Sequence, residues 1–196
     1  MMKRLVDVVG AVLGLALITP LTPFIAIAIK LDSKGPVLVT LDRVSNGKLI
    51  KVYKFRSMIH NAHSLKKNLL VSNERNDGPF FKMRHDPRLT RVGKTIRRFR
   101  WDEFPQLINV LKGELSLVGP RPHEPIEIVQ YPGKYQKIIL SKAGVTGLSQ
   151  VNGASSLPFL KELEYDLHYI EHKNFWMDMK IIMKTLSIIF FDSNAV

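Results

Sequence analysis

The sequence contains no cysteine. Folding therefore cannot depend on disulfides, and a metal site built on thiolates is excluded. Acids are scarce beside bases: 17 Asp and Glu stand against 29 Lys and Arg, a formal charge of +12. Internal repeats and low-complexity stretches are missing too, which argues against a repeat array or a disordered chain. The six histidines, among them His60, His63, His85 and His123, lack metal-ligand spacing, so no metal is assigned to them.

What is there is a chain of 196 residues with 45% hydrophobic content. That is enough for one domain with a core and too little for two ordinary ones. The basic excess is local. Between Arg43 and Arg100 lie 16 Lys and Arg against 3 acids, while the remainder is nearly balanced. Such a block points to an anionic partner: nucleic acid, lipid headgroups or a phosphorylated substrate.

Lys3 and Arg4 precede a charge-free run from Val8 to Ile29, 22 residues long. As a straight helix it would cover ~33 Å, enough for a hydrocarbon core. A cleaved signal, a spanning helix and a re-entrant hairpin are the three readings. Ala26-Ile27-Ala28 is only a weak cleavage site, and the run is long for a signal. Thr19-Pro20 and Thr22-Pro23 sit mid-run, where each proline removes a backbone donor and breaks or kinks the helix. The threonine hydroxyls can satisfy freed carbonyls, which lipid demands. Lys3 and Arg4 before the run and Lys30, Lys34 and Arg43 after it pull both ends to one side. The hairpin is therefore expected, with its break at Thr19, Pro20 and Pro23.

Beyond it, Val37–Leu41 and Leu49–Phe55 read as hairpin strands around Asn46-Gly47. Ser57–Leu70 reads as a helix. Arg97, Arg98 and Arg100 interleave with Ile96, Phe99 and Trp101, a pattern that suits a headgroup interface or a nucleic-acid surface. Phe175–Phe191 has apolar residues at helical spacing and reads as an interfacial or a core helix.

Asp102 and Glu103 stand out in this basic surrounding. Asp102 reads either as the N-cap of a helix continuing through Leu107 and Leu111, or as part of a phosphoryl-transfer site. In the second reading a carboxylate serves as nucleophile on phosphorus, with arginines and Mg²⁺ offsetting the repulsion between like charges. Further on, Pro120-Arg121-Pro122 makes a stiff turn that presents Arg121 to a phosphate.

Seven segments in order resemble the bacterial sugar transferase family, the monotopic polyprenyl-phosphate phosphoglycosyl transferases. They are Lys3-Arg4-Leu5-Val6-Asp7, Lys54-Phe55-Arg56-Ser57-Met58 and Asp86-Pro87-Arg88-Leu89-Thr90-Arg91-Val92-Gly93. Then come Asp102-Glu103-Phe104-Pro105-Gln106-Leu107, Leu117-Val118-Gly119-Pro120-Arg121-Pro122, Gly144-Val145-Thr146-Gly147-Leu148 and Asp166-Leu167-His168-Tyr169-Ile170. The resemblance implies an α+β fold. Residues 1–31 would form a re-entrant membrane helix, and residues 32–196 a small cytoplasmic α/β domain with interfacial amphipathic helices on the bacterial inner membrane. It implies that Asp102 attacks the β-phosphate of a UDP-sugar, releasing UMP, and that a polyprenyl phosphate (undecaprenyl phosphate) accepts the phosphosugar. Glu103 would be the dyad partner, and both carboxylates would hold Mg²⁺. Lys54, Arg56, Arg88, Arg91 and Arg121 would bind phosphate, and Asp166 and Tyr169 would close the site.

Inner-membrane lipid is an expected partner, a homodimer is compatible with the reading, and nucleic acid is not expected. The pattern leans toward a hexose, galactose or glucose. Two departures stand out: Ala143 replaces the proline usual before Gly144, and Phe104 replaces the usual leucine. The multi-span amino-terminal domain of larger members is not expected here. The rival from another class is a non-enzymatic basic protein that binds a membrane surface or nucleic acid. It explains the charge and the apolar run but not the acidic pair among arginines.

Overall fold

The computed structural model describes residues 2–153 and 156–191, and it begins with a broken helix. Helix α1 (Met2–Ile18) leads through a 3-10 turn (Thr19–Leu21) into α2 (Thr22–Asp32). The break follows from the prolines. Pro23 cannot donate to the Thr19 carbonyl, so the Thr22 N–H takes it instead. That frees the Ile18 carbonyl, which accepts the Thr22 hydroxyl at 3.0 Å, while the Thr19 hydroxyl donates to Leu15 O at 2.6 Å.

One face of this segment is packed and the other is bare. Ala11, Ile18, Ile25 and Ile29 are buried, whereas Leu5, Leu13, Leu17, Phe24, Ile27 and Leu31 are exposed. A Cβ on Gly10 or Gly14 would come within 2.5 Å of Leu117 Cδ1 or 2.6 Å of Leu107 Cδ1, so glycine sets how closely α1 lies on the domain. An apolar ridge this long has no place in water.

Both ends of the segment are fastened to the same body. Asp7 is buried and accepts from Ser116 Oγ at 2.7 Å and from the Leu117 N–H at 2.8 Å. Arg4 donates to the carbonyls of Val110 and Leu111. Lys3 Nζ reaches Asp178 at 2.7 Å and also donates to Tyr169 OH and Val118 O. At the far end Asp32 accepts from the Val92 N–H at 2.8 Å, and Arg56 donates to Ile29 O and Ser33 O. Both ends of the broken helix are thus tied to the same body.

The domain starts with strands β1 (Leu38–Ser45) and β2 (Lys48–Phe55), paired antiparallel from Leu38↔Phe55 to Ser45↔Lys48. Asn46 and Gly47 have φ of 53° and 69°, the left-handed pair that a tight two-residue hairpin requires. β1 runs four residues beyond the expected strand end. The expected helix from Ser57 shortens to α3 (Ala62–Leu69). Its first residues are taken by other partners: Ser57 O accepts from Thr90 N–H, and Met58 bridges to Leu89.

Helix α4 (Arg91–Arg98) is capped by the Thr90 hydroxyl accepting from Gly93 N–H, and it packs on α2. A 3-10 turn (Trp101–Glu103) and α5 (Gln106–Lys112) follow. Strand β3 (Ser116–Val118) pairs in parallel with β4 (Gly144–Thr146), enclosing α6 (Pro125–Ile128) and α7 (Gln136–Ile139). Helices α8 (Leu148–Val151), α9 (Phe159–His172) and α10 (Phe175–Phe191) complete the chain. Helix α10 is half core: Ile181 and Asp178 are buried while Trp176 and Met183 are exposed. The side chains of Phe190 and Phe191 lie outside the described residues.

Candidate active site

Arg100 adopts a left-handed backbone (φ 55°), which ends α4 and turns the chain into the short Trp101–Glu103 turn. Asp102 therefore does not cap a helix, as one reading of the sequence had it. α5 starts only at Gln106, and no side chain caps it. The turn instead delivers both carboxylates to Lys54 on β2. Lys54 Nζ lies 2.7 Å from Glu103 Oε1 and 3.5 Å from Asp102 Oδ2. Asp102 is 4% exposed.

The two carboxylates are shifted in opposite directions. Burial pushes Asp102 above the ordinary carboxylate value, and the neighbouring Glu103 charge adds to it, against the pull of Lys54. Burial also works against ionised Glu103, but Lys54 and Arg121 more than reverse it and hold it at about 2. Glu103 is thus the anion that Lys54 grips. Arg97 acts on Asp102 and Arg100 on Glu103. The sequence reading gave this arginine cluster to a headgroup or nucleic-acid surface, and gave the phosphoryl-transfer reading nearby arginines without naming these two. Their nearness to the acidic pair in sequence, within five residues, was the signal available.

Arg121, on the loop after β3, acts on the pair through its charge. Gly119 N–H donates to Thr146 O at 2.9 Å and Gly144 N–H to Pro120 O at 2.8 Å. A Cβ on Gly144 would sit 2.1 Å from Gly119 N, and one on Gly147 would sit 2.3 Å from Gly119 O. Glycine is thus what lets the two backbones touch. The Arg121 side chain keeps solvent access although protein packs densely around its charge. Burial opposes that charge, but Glu103, Glu162, Glu127 and Asp102 outweigh it and hold the guanidinium above its ordinary value.

The remaining expected residues lie elsewhere. Arg56 is buried and bonded to the carbonyls at the end of the membrane segment, with its Nε and Nη1 unpartnered. Arg88 is buried in a fork with Asp86, at 2.6 Å from Nη2 to Oδ2, and its guanidinium lies over Phe81. Arg91 is exposed at the start of α4, near Asp32. Tyr169 is buried against Asp178, Lys3 and Val118 O, under the start of α1. Asp166 is buried on α9 and bonded by Ser149 Oγ at 2.7 Å. Of the expected set, Lys54 and Arg121 are the cations brought to the dyad.

The dyad also touches the membrane segment through its next residue. Phe104 packs against two core clusters, one with Leu107 and Val110 and one with Ile18, Ile25, Ile29 and Phe55. For a divalent cation the donor set is small. Among the described residues no group of three or more His, Asp and Glu side chains could hold a metal. Asp102 and Glu103 supply two adjacent carboxylates, which fits Mg²⁺, an ion that keeps waters and substrate phosphates around one or two carboxylates.

A family model described as bacterial sugar transferase matches residues 1–192. A galactosyl transferase, CpsE, of Streptococcus agalactiae serotype III is 39% identical over 195 residues, covering 98% of this chain and 43% of that protein. A UDP-glucose:undecaprenyl-phosphate glucose-1-phosphate transferase of Klebsiella pneumoniae is 40% identical over 202 residues, covering 98% of this chain and 41% of that protein. A UDP-N-acetylgalactosamine-undecaprenyl-phosphate N-acetylgalactosaminephosphotransferase of Aeromonas hydrophila is 36% identical over 196 residues, covering 95% and 43%. The chain spans about two fifths of the length of these relatives. With a family model matched over nearly its whole length, the chain belongs to the bacterial sugar transferase family.

Proposed function

We propose that the chain transfers a sugar-1-phosphate from a UDP-sugar to undecaprenyl phosphate, at a site on the cytoplasmic face of the inner membrane. The observation that carries this reading is the buried Asp102–Glu103 pair, gripped by Lys54 and faced by Arg121, directly beside a residue packed on the membrane hairpin. An Asp102 carboxylate oxygen attacks the β-phosphorus of the donor. The bond from that phosphorus to the bridging oxygen breaks, and UMP leaves with the electron pair. A phosphate oxygen of the lipid then attacks the same phosphorus and releases Asp102. Arg121 and Lys54 offset the charge that gathers on the transferring phosphoryl oxygens. Glu103, already ionised, keeps Lys54 in place between the carboxylates. Asp102 and Glu103 would hold Mg²⁺, which when bound draws charge from the donor phosphates and favours ionised Asp102.

The names of the relatives differ in the sugar: galactose, glucose or N-acetylgalactosamine. A hexose donor is the reading carried here, on the overall pattern of the sequence. The test uses membranes holding the protein, a panel of UDP-sugars, undecaprenyl phosphate and Mg²⁺, with Asp102→Asn beside wild type. UMP release that requires wild-type protein and lipid supports the reading, and the productive donor names the sugar. Release of UDP, or equal release by Asp102→Asn, refutes it. Chelation of Mg²⁺ is expected to stop release and re-addition to restore it.

A further inference from the structure

We propose that the cavity beside the start of α1 binds one anionic membrane lipid, whose phosphate is held by Arg4, Lys142 and Lys173. None of the residues that line it belongs to the carboxylate dyad or its cations, so the inference does not depend on the reaction proposed above.

The cavity measures about 320 Å³, inside the range of about 300–1,000 Å³ in which ligand pockets fall. The first turns of α1, the β3–β4 region and the end of α9 meet around it. Four cations line it, Lys3, Arg4, Lys142 and Lys173, against one carboxylate, Asp7. That carboxylate is already satisfied: Oδ2 accepts from Ser116 Oγ and Oδ1 from the Leu117 N–H. Lys3 is satisfied too, since its three N–H groups go to Val118 O, Tyr169 OH and Asp178. The other three cations have donors to spare. Arg4 carries five N–H groups and directs two hydrogen bonds at the Val110 and Leu111 carbonyls. Lys142 and Lys173 are exposed, and neither has a hydrogen bond or ion pair among the described residues. Asp178 offsets Lys3 and Asp7 offsets one further cation, which leaves an excess of positive charge facing the cavity.

The place of the cavity names the ligand. Lys3 and Arg4 lead directly into Leu5 and Val9, both exposed on the apolar ridge. Asp178, the partner of Lys3, lies two residues from Trp176, which is exposed on α10. A tryptophan beside the basic end of an apolar segment marks headgroup depth. A basic pocket between helices at that depth suits an anionic headgroup. Free phosphate has the same charge but nothing to lay on the ridge, whereas the acyl chains of a lipid would cover Leu5 and Val9.

The test is microscale thermophoresis of the full chain in non-ionic detergent. The probes are a short-chain phosphatidylglycerol, the matching phosphatidylcholine and inorganic phosphate. Wild type is compared with Lys142→Ala/Lys173→Ala and with Lys30→Ala/Lys34→Ala. Lys30 and Lys34 are likewise exposed and without partners among the described residues, but they lie at the other end of the segment and do not line the cavity. Wild type is expected to bind phosphatidylglycerol saturably, and phosphatidylcholine and inorganic phosphate much more weakly. A lysine near a headgroup contributes about fivefold in affinity, so the Lys142/Lys173 variant is expected to bind phosphatidylglycerol about 25-fold more weakly. The Lys30/Lys34 variant is expected to keep wild-type affinity. All four lysines are exposed, so melting without lipid is expected to stay unchanged in both variants. Equal losses in the two variants would mean diffuse surface charge and overturn the proposal. Phosphatidylcholine bound as tightly as phosphatidylglycerol would also overturn it, and so would inorganic phosphate bound as tightly as the lipid.

Discussion

Removing the Lys54 charge tests the dyad most directly. In Lys54→Met the two carboxylates lose the cation at 2.7 Å and 3.5 Å, in a place where the three side chains are only 16%, 6% and 16% exposed. Breaking a buried pair from one side leaves uncompensated charge and costs about 3–5 kcal/mol. For a chain of this size that is ~6–20 °C in melting temperature. The pH dependence also changes sign. In wild type Glu103 titrates at about 2, below its ordinary 4.5, so its contribution is present above about 4.5 and lost as pH falls through 2. Without Lys54, burial and the Glu103 charge push Asp102 further up, while Arg121 and Arg100 still act on Glu103, so the Asp102 contribution is greatest at low pH and falls as pH rises. The deficit of Lys54→Met is therefore expected to be large at pH ~8 and much smaller at pH ~5. Thermal denaturation of the detergent-solubilised protein at both values measures this. Lys51→Met is the control: Lys51 pairs with Asp42 at 2.9 Å, but the side chains are 69% and 54% exposed. Loss of such a pair costs under about 0.5 kcal/mol. An equal deficit at both pH values, or a Lys51→Met loss as large as that of Lys54→Met, refutes the account of the dyad.

Three further outcomes follow from the packing. Gly144→Ala places a Cβ against backbone at 2.1 Å, which no rotamer relieves, so a loss of at least ~2 kcal/mol and of UMP release is expected by melting and turnover assays. Arg88→Met strands buried Asp86 and is expected to destabilise by about 3–5 kcal/mol, whereas Arg121→Met is expected to stay within ~1 kcal/mol yet weaken UDP binding in calorimetry. Asp7→Asn keeps one of two hydrogen bonds and is expected to cost about 1–3 kcal/mol in detergent melting, with no change in UDP affinity.

The elements legible in the sequence are those whose cause is local. Asn46-Gly47 requires a tight hairpin, and the adjacent pairs Thr19-Pro20 and Thr22-Pro23 require a break or kink in a helix. Asp102-Glu103 is conspicuous because so few acids lie in the basic block. What was not legible depends on acceptors with no sequence signature. Arg56 is bonded to the Ile29 and Ser33 carbonyls, and any residue type could have supplied them. Tyr169 and Asp178 meet Lys3 across more than 160 residues, which no periodicity announces. The parallel β3–β4 pair is three residues on each side, too short to read as strands. Family resemblance supplied a set of conserved-looking cations but not their division of labour. Burial beside Asp86 or under the hairpin separates Arg88 and Arg56 from Lys54 and Arg121.

The position of the dyad gives that division its meaning. On the proposed reaction one substrate arrives from water and the other stays in the leaflet, so the nucleophile must stand at a fixed depth. Phe104 follows the dyad without a gap and packs against the cluster that holds Ile18, Ile25 and Ile29, on either side of the helix break. The apolar segment on both sides of the break and the residue next to Asp102 thus share one cluster. A larger apolar side chain at 104 than the usual leucine strengthens that link, since Phe104 also packs against the cluster of Leu107 and Val110. The buried anchors Asp7, Arg56 and Tyr169, the last through Lys3, each fix one end of the apolar segment to the body that carries the carboxylates.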